Sequence, residues 1–182
     1  SIWMSKDCPE HGVSEYMIES NANFYHSLDY DVHAYDIPNS IMIEVTDRCN
    51  LNCPHCYHEP ENKTTDVPIS FLMNKLKSWP QSAGGVILAG AEPTIRKDLP
   101  ELITTITDWQ ATTERTHQDV TILTNGVKLS DKAWTQRIKD AGCSAVMIGL
   151  NHPSYQGETV HRKQLQGIAN CVEVGLPIYY IG

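Results

Sequence analysis

The sequence predicts an α/β protein, a partial (β/α) barrel of parallel strands that stops after its fifth strand. Three observations lead there. Short segments near 41–45, 86–89, 120–123, 146–150 and 178–181 are apolar nearly throughout, as strands buried on both faces are. Amphipathic helical stretches separate them, which implies parallel strands covered by helices, each crossover right-handed. Nothing marks a reversal of strand order, so an arc of a barrel fits better than a doubly wound sheet; in both, ligands bind beyond the C-terminal ends of the strands.

Residues 1–39 read as an irregular, polar extension ahead of a core over 40–182. Its one distinctive feature is Cys8-Pro9-Glu10-His11-Gly12. Cys8 and His11 are half of a zinc site, since a closed structural site needs four N or S ligands; the other reading is a turn with an incidental thiol. Residues 36–40 read as a linker. The apolar run Ile41–Val45 then delivers the chain into a loop carrying Cys49, Cys53 and Cys56.

A helix is expected over 69–79, with Ile69, Leu72, Met73 and Leu76 on its apolar face. Gly84-Gly85 breaks the chain before the strand 86–89, which ends in Gly90-Ala91-Glu92-Pro93-Thr94. The next helix begins at an Asp98 N-cap, with Glu101 completing a capping-box pattern and Pro100 in the first turn. Leu99, Leu102, Ile103 and Ile106 form its buried face. Residues 111–119 are a polar connection to the strand 120–123, which ends in Thr124-Asn125-Gly126. Ser130 reads as the cap of the following helix, with Leu129 and Trp134 as a hydrophobic staple and Gly142 as its stop. Strand four ends at Asn151-His152-Pro153. A helix over 161–174 is expected to bury Leu165, Ile168, Ala169 and Val172 and to end at Gly175 before the strand 178–181. With Ser1 first and Gly182 directly after a strand, the chain reads as a fragment or a processed form.

Four segments share the C-terminal strand edge: the cysteine loop, Gly90–Thr94, Thr124–Gly126 and Asn151–Pro153. That coincidence argues for a single site. Composition narrows its chemistry. The net charge of −8 disfavours a nucleic-acid surface. No run of eighteen apolar residues offers a membrane span, and no leader-like start is evident. Six cysteines, three of them clustered, read as metal or redox chemistry in a reducing, cytoplasmic compartment.

Cys49-x3-Cys53-x2-Cys56 can converge three thiolates on one metal centre. Biological iron–sulfur cubes are normally held by four. Three without a fourth nearby leave one iron open, and an open position marks a catalytic centre. Cys143 lies just before strand four, at the opposite edge, and Cys171 reads as a buried helix thiol. Two other readings stay open: a non-catalytic iron–sulfur electron carrier, and a zinc-binding interaction module using the three cysteines with His55 or His58.

Cys49-Asn-Leu-Asn-Cys53-Pro-His-Cys56 resembles the signature of the radical S-adenosylmethionine (SAM) superfamily. Gly90-Ala-Glu-Pro-Thr94 is similar to that family's Gly-Gly-Glu-Pro motif, with Ala91 in place of the second glycine. Ile122-Leu-Thr-Asn-Gly126 resembles its usual third strand end. The resemblance covers residues 41–182. It implies that Cys49, Cys53 and Cys56 bind a [4Fe-4S] cluster whose open iron chelates S-adenosylmethionine. One-electron cleavage of that cofactor then gives a 5′-deoxyadenosyl radical that takes hydrogen from a substrate. It further implies that Gly90, Glu92 and Pro93 hold the methionine amino group and that His55 lies against the adenine. Asn151 would meet the ribose, and Thr124 and Asn125 would sit near the carboxylate. A reductant protein such as flavodoxin or ferredoxin would supply the electron. Each residue also has a plainer reading: Glu92 as a solvated loop acid, Asn125-Gly126 as a turn dipeptide, Asn151 as a turn cap. The Cys-Pro-Glu-His-Gly segment and Glu92–Pro100 look similar to the branch with pterin-methylating and lipid-coupling enzymes, implying methyl transfer or C–C bond formation.

Overall fold

A computed structural model describes residues 1–27, 40–54, 56, 58, 60, 65–79, 84–113 and 118–182. His55 and positions 36–39 of the expected linker lie outside these residues. The chain divides into two compact units, Ser1–Ile37 and Pro38–Gly182.

The first unit is not irregular, as its sequence suggested. Strands β1 (Ile2–Cys8) and β2 (Gly12–Glu19) pair antiparallel, from Ile2 opposite Glu19 to Cys8 opposite Gly12, and α1 (Ala22–Ser27) follows. The connecting turn is the Cys-Pro-Glu-His-Gly segment, with Gly12 at φ +75°. The adjacent residues Trp3 and Met4 point to opposite faces of β1 and are both exposed. With no single buried face, the hairpin has no two-residue alternation to betray it.

In the second unit, β3 (Ser40–Glu44), β4 (Gly85–Ala89), β5 (Val120–Thr124), β6 (Ala145–Ile148) and β7 (Ile178–Ile181) form one parallel sheet in sequential order. Every strand lies beside its predecessor, as in an arc of a barrel. The crossovers contain α2 (Ile69–Lys77), α3 (Leu99–Ala111), α4 (Lys132–Asp140), and the pair α5 (Pro153–Gln156) and α6 (Glu158–Val174). Alternate strand positions Ile41, Val86, Leu88, Val120, Ile122 and Val146 are buried in one cluster with helix residues Leu72, Leu76, Leu102, Ile106 and Ile138. Each such side chain contributes about 1.5–3 kcal/mol by leaving water. That driving force fixes strand register, because a one-residue slip would turn this set outward.

Three helix details differ from the sequence expectation. The capping box at Asp98 does not form: its side chain makes no cap hydrogen bond and instead accepts from the Arg96 guanidinium at 3.0 and 2.8 Å. A full fork from a cation outcompetes one backbone N–H. At α4 the N-cap is Asp131, accepting from Trp134 N at 3.1 Å, while Ser130 Oγ donates to Val127 O. The α6 face is rotated from the one expected. Leu165 and Val172 are 47 % and 70 % exposed, and Gln164, Gly167, Asn170, Cys171 and Val174 are buried instead.

Polar contacts explain that rotation. Asn170 Nδ2 donates to Leu129 O and Ser130 O, at 2.8 and 2.9 Å. Gln164 Nε2 donates to Asn125 O and Gly149 O, at 2.8 and 3.0 Å. Gly167 sits so near the loop after β5 that a Cβ there would meet Gly126 O at 2.5 Å. Carbonyls of the segments after β5 and β6 that need donors, and a close backbone approach, outweigh the burial of Leu165 and Val172.

Candidate active site

Backbone hydrogen bonds join the cysteine loop to the loop after β4. Val45 N donates to Ala89 O, Ala91 N to Thr46 O and Glu92 N to Arg48 O, all between 2.9 and 3.0 Å. Gly90, at φ +117°, permits the approach: a Cβ there would lie 2.5 Å from Thr46 O. Glycine alone suits this position on both counts.

Two arginines that sequence reasoning passed over secure the same junction. Arg96 is fully buried. Its Nη1 donates to Val45 O at 2.6 Å and Val67 O at 2.8 Å, while Nε and Nη2 hold Asp98. It thus rivets the end of β3, the approach to α2 and the start of α3. Arg48, next to Cys49, pairs with Asp66: Nε to Oδ1 at 3.0 Å and Nη2 to Oδ2 at 2.5 Å, with Thr46 Oγ1 donating to the same carboxylate at 2.7 Å. Burial pushes the Asp66 carboxyl up, but the Arg48 fork and the Thr46 hydroxyl outweigh it and hold the carboxyl below its usual range.

A pH dependence follows from that lowered value. A depressed folded pKa adds stability that is complete above the unfolded value and is lost as pH falls through the folded one. The stability gap between wild type and Asp66→Asn should therefore be constant near neutrality and close below about pH 4, in thermal unfolding measured across that range.

Glu92 is the hub of the site and no solvated loop acid: it is 1 % exposed. Oε1 accepts from Thr94 N at 3.0 Å, from the Thr94 hydroxyl and from Thr124 Oγ1 at 2.6 Å; Oε2 accepts from Asn125 N at 2.6 Å. One carboxyl therefore links the ends of β4 and β5. Burial pushes it above the ordinary carboxyl range, against the pull of those hydrogen bonds. Glu92→Gln should destabilise the chain by about 1–3 kcal/mol, read by denaturant titration. In either amide orientation an NH2 group faces a backbone N–H, of Asn125 or of Thr94, with no acceptor between them.

Asn125 ties β5 to the cysteine loop. Its Nδ2 donates to Asn50 Oδ1 at 2.8 Å and lies 3.8 Å from Cys49 Sγ, and its Oδ1 accepts from Val127 N at 3.0 Å. Leu51 N also donates to Cys49 Sγ, at 3.3 Å. Thr124 Oγ1, besides serving Glu92, accepts from Gly126 N at 3.0 Å.

All six cysteines are thiols. Cys49, Cys53 and Cys56 line one cavity of about 270 Å³ at the C-terminal strand edge. Gly90, Glu92, Thr124, Asn125 and Asn151 line it too. Pro93 does not; it is buried at the start of a 3₁₀ turn over 93–95. Burial pushes the Cys49 and Cys53 thiols up, and neighbouring thiols add to it. Loading a metal centre would therefore release protons.

Cys143 and Cys171 lie away from the cavity. Cys143 Sγ donates to Ala145 O at 3.2 Å, and burial pushes these two thiols up to about 12 and about 11. Among the described residues no three His, Cys, Asp or Glu side chains gather closely enough to hold one metal ion. Cys8 Sγ and His11 Nδ1 meet each other at 3.3 Å, and among the described residues no third ligand side chain joins them. A single zinc draws its ligands to about 2.0–2.3 Å of one point, whereas in a cube each thiolate meets its own iron. Soft sulfur donors spread around a roomy cavity fit the latter.

The sequence pattern of the radical SAM superfamily matches residues 43–181. A 7,8-dihydro-6-hydroxymethylpterin dimethyltransferase of Methanocaldococcus jannaschii is 29 % identical, over 96 % of this chain and 40 % of the relative. A probable GTP 3′,8-cyclase of Methanococcus maripaludis is 30 % identical, over 75 % of this chain and 46 % of its own length. The Fe-coproporphyrin III synthase of Methanosarcina barkeri is also 30 % identical, over 76 % and 35 %. The chain thus spans half or less of the length of these relatives. Among solved structures, hexahistidine-tagged anSMEcpe with bound AdoMet superposes with a TM-score of 0.57 at 15 % identity, covering 79 % of this chain and 42 % of the other. That likeness is one of fold. No described helix is long and apolar enough to cross a membrane.

Proposed function

Because this chain belongs to the radical SAM superfamily, we propose that it forms the cofactor-binding part of an enzyme that holds a [4Fe-4S] cluster through Cys49, Cys53 and Cys56. The observation that carries this reading is the convergence of those three thiols with Gly90, Glu92, Asn125 and Asn151 on one cavity. When bound, the cluster and S-adenosylmethionine would supply one-electron reductive cleavage chemistry and, through it, removal of hydrogen from a substrate C–H bond.

The chain's own residues hold and aim these groups. Glu92 Oε2 takes one donor, from Asn125 N, and retains acceptor capacity for the methionine ammonium. A cation there would also offset the burial that raises the Glu92 pKa. Gly90 keeps the backbone close to the cysteine loop, so that donor and cluster share one wall. Asn125 steadies Cys49 through Asn50, and Asn151, which lines the cavity after β6, would meet the ribose. A reductant protein delivers the electron.

The extent of the aligned regions supports one reading of the reaction. The match to the pterin dimethyltransferase takes in 96 % of this chain, including most of the Ser1–Ile37 unit, against 75 % for the cyclase. Methyl transfer to a reduced pterin is the activity this favours. Anaerobic reconstitution with iron and sulfide tests the cluster assignment: a brown protein with about four irons per chain is expected. Uptake of zinc alone, with no iron–sulfur absorbance, contradicts it.

A further inference from the structure

Gln156 closes the short helix α5, far along the chain from the cysteine loop, and its Nε2 donates to Cys53 Sγ. The helix is aimed by its own cap: His152 Nδ1 accepts from Ser154 N at 3.3 Å, and Gly157 N closes on Pro153 O at 2.6 Å. His161 Nδ1 lies 3.1 Å from Asn151 O and ties the start of α6 to the same loop. A fixed turn therefore presents the carboxamide to the sulfur.

The other end of that carboxamide makes no such contact. Gln156 Oε1 is buried and has no hydrogen-bond partner among the described residues. Burying an amide oxygen unpaired costs about 1–3 kcal/mol. The contact the carboxamide makes is the one from Nε2 to Cys53 Sγ.

Resting on the cluster assignment above, we propose that Gln156 is a positioning residue that sets the cluster's reduction potential through its N–H on the Cys53 sulfur. Reduction adds negative charge that is shared with the ligand sulfurs, and a donor hydrogen bond stabilises the reduced form more than the oxidised one. The residue is not needed to hold iron, since the three thiolates do that.

The test uses the reconstituted chain as wild type, Gln156→Leu and Gln156→Glu, with iron content and a spectroscopic redox titration as readouts. Equal iron content is expected in all three, with the midpoint potential more negative in Gln156→Leu and more negative again in Gln156→Glu, where a carboxylate replaces the donor. Equal potentials in three equally loaded proteins overturn the proposal and leave the cluster assignment standing. Failure of wild type to take up iron overturns both.

Discussion

Cys53→Ala should leave the chain without a cluster after anaerobic reconstitution, while Cys171→Ala loads like wild type. Two thiolates in place of three cannot anchor three irons, and Cys53 faces the cavity that the other two thiols share. Cys171 is fully buried on α6, outside that cavity, with its pKa pushed up to about 11, as for an inert thiol in the core. Iron content per chain is the readout. Equal loading of the two variants would contradict the assignment. Cys171→Ala should cost some stability through the small cavity it leaves, so folding is checked alongside.

Arg96→Leu is expected to be the most destabilising single substitution near the site. The guanidinium satisfies Val45 O and Val67 O from a fully buried position and holds Asp98 through two more bonds. Removing it strands two backbone acceptors and cuts three elements loose from one another. The loss should reach about 3–5 kcal/mol, a large share of the roughly 5–15 kcal/mol typical of a domain. Chemical denaturation measures it directly. Arg96→Lys should recover only part, because an ammonium is a point donor and cannot fork to Asp98 while reaching both carbonyls. If Arg96→Leu unfolds at the wild-type midpoint, the guanidinium is not the rivet its contacts describe.

The parts of this molecule that were legible in its sequence are those written by burial and spacing. Strands such as Val86–Ala89 are apolar because helices cover them, and parallel order follows from their alternation with helices. The cysteine spacing and Gly90–Thr94 placed two sets of candidate residues at one sheet edge, and the three cysteines with Gly90, Ala91 and Glu92 line a common cavity. What stayed hidden depends on polar partners distant in sequence. Nothing local tells that Arg96 is buried, since a charged residue just before a helix ordinarily faces water. Asp98 has the look of an N-cap until the guanidinium beside it is seen to claim its carboxylate. The α6 stripe misled because Gln164 and Asn170 are buried to serve carbonyls of loops far along the chain. Gln156 gave no signal at all, because its partner is Cys53.

These polar contacts share a purpose. Arg48 with Asp66, Arg96 with Asp98, and Glu92 with Thr94, Thr124 and Asn125 all brace the loops that line one cavity. A loop carrying three thiols has little apolar surface with which to fix itself. Ion pairs and a buried carboxyl supply the order that packing supplies elsewhere, so a cofactor set would find its ligands in place.

The central claim is that this cavity holds a cluster able to cleave S-adenosylmethionine. The most direct measurement takes the protein, reconstituted without oxygen and reduced with dithionite, adds S-adenosylmethionine, and assays for 5′-deoxyadenosine. Its formation in wild type and its absence in Cys53→Ala is the predicted result; a cluster-loaded, reduced wild type that releases no 5′-deoxyadenosine would contradict the account.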